Sequence, residues 1–139
     1  MRPVILSICG KQYYEDQEPS VIELVTEGTL VSIADGWEIC YEESDLTGLE
    51  GVTTVFRVQP GVITLIRTGV LRSCMEFRTG VIHESLYETQ YGAMMIAVCA
   101  QRIESQLTDE GGTVDLVYGI DIEQSAGGVV EYHVDVKLK

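Results

Sequence analysis

Apolar and polar residues alternate along most of this chain, most cleanly at the carboxyl end. There Val114, Leu116, Tyr118, Ile120 and Ile122 share one parity, while Asp115, Asp121 and Glu123 occupy the other. Successive side chains of a strand point to opposite faces, so the segment predicts a strand with one dry and one wet side. Val130, Tyr132, Val134, Val136 and Leu138 repeat the pattern against Glu131, His133, Asp135 and Lys137. The two segments predict a hairpin centred on Gly127-Gly128. Upstream, Trp37, Ile39 and Tyr41 alternate with Glu38, Cys40 and Glu42, and Val52, Thr54, Phe56 and Val58 with Thr53, Arg57 and Gln59.

Turn signals punctuate these runs at Asp35-Gly36, Pro60-Gly61, Gly69, Gly80, Asp109-Glu110-Gly111-Gly112 and Gly127-Gly128. Strands are therefore expected near residues 3–14, 20–33, 37–43, 52–59, 62–68, 71–79, 82–88, 92–107, 113–124 and 128–138. So many antiparallel strands would expose long edges in a flat sheet, and closure into a barrel removes them. Gly28, inside a long strand pattern, predicts a parity shift with a bulge or sharp bend. The run Tyr91 to Arg102 is compatible with both helix and strand, because Ala, Met and Gln are good helix formers.

With 139 residues the chain is expected to form one domain spanning 1–139, since two separate cores would each be marginal. The opening run, Val4 to Ile8, reads as a first strand rather than a signal peptide, and no apolar run nears the roughly 20 residues that span a bilayer. A cytoplasmic location is expected. Cys9, Cys40, Cys74 and Cys99 lack any Cys-x-x-Cys spacing and are expected to be buried, reduced thiols. Twenty-two acidic against nine basic residues give a net charge of −13. Such an acidic surface repels phosphates and anionic headgroups, so neither nucleic acid nor membrane is expected as a partner.

Candidate chemistry is sparse. Glu42-Glu43-Ser44-Asp45 is dense in carboxylates, but Glu42 and Glu43 have opposite parity and the spacing is not that of an EF-hand loop. A solvated strand end and turn is expected, with a hard-cation site or an acid–base pair as the alternative. Arg67 shares parity with Ile63 and Leu65, and on an inward face it would pair with Glu42 or Glu43 or hold a ligand carboxylate. His83 and His133 have no companions at metal-ligand spacing, so no metal and no cofactor are expected. His83, Ser85 and Tyr87 form a polar stripe without the geometry of a nucleophile elbow. The aromatic set Tyr13, Tyr14, Trp37, Tyr41, Tyr87, Tyr91, Tyr118 and Tyr132 serves cross-strand packing or lines a pocket.

Several blocks carry a resemblance. Tyr41 to Gly51, Thr64 to Gly69, Met75-Glu76-Phe77 and Tyr87 to Gly92, with Gly111-Gly112 and Tyr118 beyond them, resemble the DUF1934 family of small bacterial proteins of unknown function. The resemblance implies a calycin-like, lipocalin-type antiparallel barrel and favours strand over helix after Tyr91. Gln90 departs from the proline usual before the Tyr-Gly pair. The family supplies no catalytic residues. The reading is an all-β meander barrel of eight to ten strands. It is expected to bind a small apolar or amphipathic ligand through Tyr41, Glu43, Arg67, His83, Tyr87 and Tyr91. A solid interaction barrel, able to associate as a homodimer, is the alternative, and an enzyme is a distant third. Inward Met75, Phe77, Leu65, Ile96 and Val98 would fill the interior. Inward Ala93, Ala97, Ser73 and Thr64 beside Arg67 would leave it hollow.

Overall fold

The computed structural model describes residues 1–14, 17–44 and 49–139. Asp45, Leu46, Thr47 and Gly48, part of the acidic run and of the first resembling block, lie outside them. Ten strands follow in chain order: β1 (Arg2–Tyr13), β2 (Ser20–Ile33), β3 (Gly36–Glu42), β4 (Val52–Gln59), β5 (Val62–Gly69), β6 (Leu71–Phe77), β7 (Ile82–Thr89), β8 (Gly92–Thr108), β9 (Gly111–Ile122) and β10 (Ser125–Leu138). Each pairs antiparallel with the next, and β1 pairs with β10 from Val4↔Leu138 to Tyr13↔Val129, closing the barrel. Among the described residues there is no helix. Among these residues no helix is therefore long and apolar enough to cross a membrane.

Tyr91 to Arg102 lies mostly in β8, as a strand. The β8–β9 register shifts between Ala100 and Arg102. Ile96, Val98 and Ala100 face inward before the shift, and Ile103 and Leu107 pack on the core after it. The ambiguity came from composition, since the Ala, Met and Gln of this run favour helix while inward alternation holds up to Ala100.

Two expectations about irregularities are corrected. Gly28 introduces no register shift: pairing is continuous through Val4↔Gly28 and Gly28↔Tyr41, and Leu24 and Leu30 stay inward on the same parity. The glycine is needed because a β-carbon there would sit 2.5 Å from the Cys40 carbonyl oxygen and 2.8 Å from Leu6 Cδ1. Nor does the β9–β10 hairpin turn at Gly127-Gly128. It turns at Glu123-Gln124, with φ of 51° and 68°, and the glycines lie in a bulge between Ala126 and Val129. The bulged backbone is tied to β1 by Gln12 Nε2 donating to the Gly127 carbonyl at 2.9 Å. A two-residue turn with both φ positive matches the twist of the flanking strands, and Glu and Gln are unusual occupants.

The cysteines are also corrected. All four are free, none is buried, and Cys74 is exposed, because each alternates with inward neighbours and so lies on the outer wall. Inside, one half of the barrel is solid, filled by Leu6, Leu30, Ile39, Ile63, Leu65 and Phe77. Met75, Ile96 and Val98 also point inward, whereas Thr64 and Ala97 lie on the opposite parity and Ala93 is exposed. Only Ser73 of the four small residues proposed for a hollow interior is buried.

Candidate functional site

The other half of the barrel is open. A cavity of about 380 Å³ occupies the end where β1 meets β2, β3 meets β4, and β9 meets β10. Its wall is mostly apolar, supplied by residues such as Ile8, Leu24, Ile96, Ile120 and Val130. Two of its polar members, Tyr41 and Arg67, belong to a single inward row. Gly28, Tyr41, Thr54, Arg67 and Ser73 are successive register partners across β2, β3, β4, β5 and β6. Strand alternation places every member of such a row on the same face, so this row forms a polar layer between the solid half and the open half.

Glu43 joins the layer just beyond β3. It is 7% exposed, and Thr54, which is 0% exposed, donates through Oγ1 to Glu43 Oε1 at 2.9 Å. Glu43 N also donates to the Val52 carbonyl at 2.8 Å, which turns the side chain back into the barrel. The expected solvated strand end is therefore corrected at Glu43, while Glu42 is exposed as parity requires. The aromatic floor is packed. Tyr41 stacks on Phe56 with centroids 6.4 Å apart, Phe56 meets Tyr132 at 5.6 Å, and Phe77 meets Tyr118 at 4.5 Å.

Burial, followed by the neighbouring Tyr132 and Glu43, raises the Tyr41 hydroxyl far above the ordinary tyrosine value. Tyr118 is raised chiefly by burial, and so is Tyr132, against the pull of the Arg67 charge. All three are protonated at neutral pH, and Tyr41 is hydrogen-bonded to Glu43 and Tyr132 to Tyr41 and Arg67. Burial opposes the Arg67 charge, yet the surrounding Tyr132, Tyr41 and Glu43 hold its pKa above the ordinary arginine value. Among the described residues no carboxylate lies within salt-bridge distance of Arg67, so the expected strand-to-strand ion pair is absent. Its Nε is buried without a hydrogen-bond partner, as is Ser73 Oγ opposite it.

Of the six residues singled out in the sequence, Tyr41, Glu43, Arg67 and Tyr87 line the cavity, and His83 and Tyr91 do not. Tyr91 is 90% exposed at the β7–β8 turn. His83 mends a seam. The β6–β7 ladder covers Leu71↔Thr89 and Arg72↔Glu88, and further along the Glu76 amide donates to His83 Nδ1 at 3.3 Å in place of a strand partner. Sequence reasoning passed over Thr54 as a site residue, although its parity with Val52 and Phe56 marks it as an inward hydroxyl. Tyr118 and Tyr132 were visible only as members of a larger aromatic set. Among the described residues no cluster of His, Cys, Asp or Glu has the geometry of a metal site.

Residues 6–135 match the family described as a domain of unknown function, DUF1934. The chain belongs to the DUF1934 family. Over 82 residues it is 27% identical to the uncharacterized β-barrel protein YwiB of Bacillus subtilis, covering 59% of this chain and 56% of that relative. The sequence match thus spans little more than half the relative's length. The crystal structure of the B. subtilis YwiB protein superposes with a TM-score of 0.87 at 22% identity, covering 99% of this chain and 92% of that one. At that identity the likeness establishes the shared fold of this DUF1934 member, a closed ten-stranded antiparallel barrel.

Proposed function

We propose that this protein binds a small amphipathic molecule inside the open half of its barrel. The observation that carries the reading is the division of the interior. A barrel of this size is either filled by its own side chains or able to hold one small ligand. Here one half is filled and the other encloses about 380 Å³, apolar on its walls and polar on its floor. Mostly apolar cavities with a few converging polar groups are the usual form of small-molecule sites. The calycin-like resemblance points the same way by analogy of fold. Binding needs no catalytic group, and the proposed role is that of a carrier or sensor in the cytoplasm.

Native mass spectrometry of protein purified from its host, or incubated with a lipid and metabolite extract, tests this. The expected result is a retained small molecule whose mass disappears on denaturation. A spectrum that stays at the bare chain mass after both treatments would overturn it. A second reading, self-association, is favoured by the exposed Ile82, Leu86, Tyr91 and Met95 of the β7–β8 hairpin. A dimer mass without bound ligand would support that reading instead.

A further inference from the structure

Resting on the reading of the cavity as a ligand site, we infer that its ligand is a monocarboxylate, bound head-first on Arg67. The argument begins with which polar groups lack partners. Glu43 is an acceptor already served by Thr54 and set beside the Tyr41 hydroxyl. Of the two buried atoms without partners among the described residues, Arg67 Nε and Ser73 Oγ, the first belongs to a residue that lines the cavity and the second does not, and a guanidinium nitrogen can act only as a donor. The Tyr41, Tyr118 and Tyr132 rings stand on the same floor as Arg67. A buried donor without a partner is unfavourable, and a ligand acceptor relieves it. The group the site lacks is therefore an oxygen acceptor, not a donor.

Charge then narrows the choice. The chain as a whole carries −13, but of the charged residues at the cavity Arg67 and Glu43 point inward, whereas Lys11 is exposed on the outer-wall parity of β1 opposite Glu131. Exposed charges farther away than about 8 Å are largely screened at physiological ionic strength, so Arg67 and Glu43 govern the head group. A single negative charge pairs with the Arg67 guanidinium. A doubly charged phosphate monoester would exceed that one cation beside Glu43. Guanidinium groups bind carboxylates in a planar, two-point geometry, and arginine keeps its charge even when buried.

Volume sets the size of the apolar body. At about 30 Å³ for each water-sized unit, the cavity holds roughly a dozen non-hydrogen atoms. The head takes three of these on the polar floor, and the remainder lies against Ile96, Ile120 and Val130 toward the open end. A medium-chain or small aromatic carboxylic acid fits, and a long-chain lipid leaves its tail outside.

Isothermal titration calorimetry with decanoate, 1-decanol and decyl phosphate tests the assignment on the intact protein. Decanoate is expected to bind at least about tenfold more tightly than 1-decanol, in keeping with a hydrogen bond to a charged group. Arg67→Gln is expected to remove that preference while leaving 1-decanol binding within about threefold. If Arg67→Gln fails to fold, the comparison of the three probes on the unsubstituted protein decides alone. Binding of 1-decanol as tight as that of decanoate would overturn the carboxylate assignment while leaving the cavity as a ligand site. Tighter binding of decyl phosphate would overturn the monoanion. Failure of all three probes to bind, with no retained molecule in native mass spectrometry, would overturn the cavity reading and this inference together.

Discussion

Arg67 and Ser73 are register partners across β5 and β6, and each holds a buried polar atom without a hydrogen-bond partner. A protein interior normally satisfies such atoms, so two opposite each other in one layer mark a place where stability is sacrificed. Residues that weaken the fold while shaping a cavity are the pattern expected where a site has been kept for binding. That trade is measurable at Ser73, whose hydroxyl does not touch the cavity wall. Ser73→Ala removes an unsatisfied hydroxyl and is expected to raise stability by about 1 kcal/mol. The urea unfolding midpoint, at unchanged slope, checks it, and a lower midpoint would mean that the hydroxyl has a partner in solution.

Thr54 is the counter-case in the same row. Its hydroxyl donates to Glu43 in a fully buried setting. Thr54→Val keeps the shape but deprives a buried carboxylate of a donor, and should destabilise the protein by about 1–3 kcal/mol. Thr54→Ser, which keeps the donor, should recover most of the loss, and equal midpoints for the two variants would remove the hydrogen bond from the account.

At Gly28 the constraint is space rather than backbone angle. A β-carbon would collide with the Cys40 carbonyl, which is backbone and cannot rotate away. Gly28→Ala is expected to lower stability by about 1–3 kcal/mol. Thermal unfolding by circular dichroism measures this, and an unchanged Tm would show that β3 yields easily at that point.

His133 sits on the outer wall, with Nδ1 2.6 Å from Asp115 Oδ1 and Nε2 3.2 Å from Asp135 Oδ2. The hydrogen bond to Asp115 outweighs desolvation and, with both aspartate charges, holds the imidazole pKa above its ordinary 6.5. A group whose folded pKa is raised contributes stability that is fully present below the unfolded pKa and is lost as pH rises through the folded value. The protein should therefore lose a small increment, under about 1 kcal/mol because the site is partly exposed, as pH rises above 6.5. In His133→Gln that slope should vanish from the pH dependence of the urea midpoint, and an unchanged slope would assign it to another group.

Thiol reactivity should follow the wall rather than the core. Cys74 is exposed, whereas the Cys40 thiol is raised by burial and by the charges of Glu38 and Glu42. Since the thiolate is the reactive form, a maleimide or aromatic disulfide reagent should label Cys74 first and Cys40 last, without unfolding the chain. Peptide mass spectrometry over a time course gives the order, and early labelling of Cys40 would contradict the burial on which it rests.

The barrel was legible because alternation is a local property. Val114 to Ile122 and Val130 to Leu138 announce their inward faces without reference to any other segment, and the number of such strands makes closure the economical outcome. Reading failed where other signals intervened. Helix-forming Ala, Met and Gln made β8 ambiguous, and the bulge at Gly127-Gly128 passed for the turn that Glu123-Gln124 makes. Glu43 was misread although alternation held. It lies one residue beyond β3 on the inward parity of Ile39 and Tyr41, and its charge was weighed above that parity.

By itself the sequence determined the strands, their inward faces and the all-β class, because hydrophobic periodicity is written residue by residue. Only the tertiary structure decided that Gly28, Tyr41, Thr54, Arg67 and Ser73 stand in one row and that half of the interior is left open. Register between strands and the space left among packed side chains depend on all ten strands at once, so no single segment carries that information.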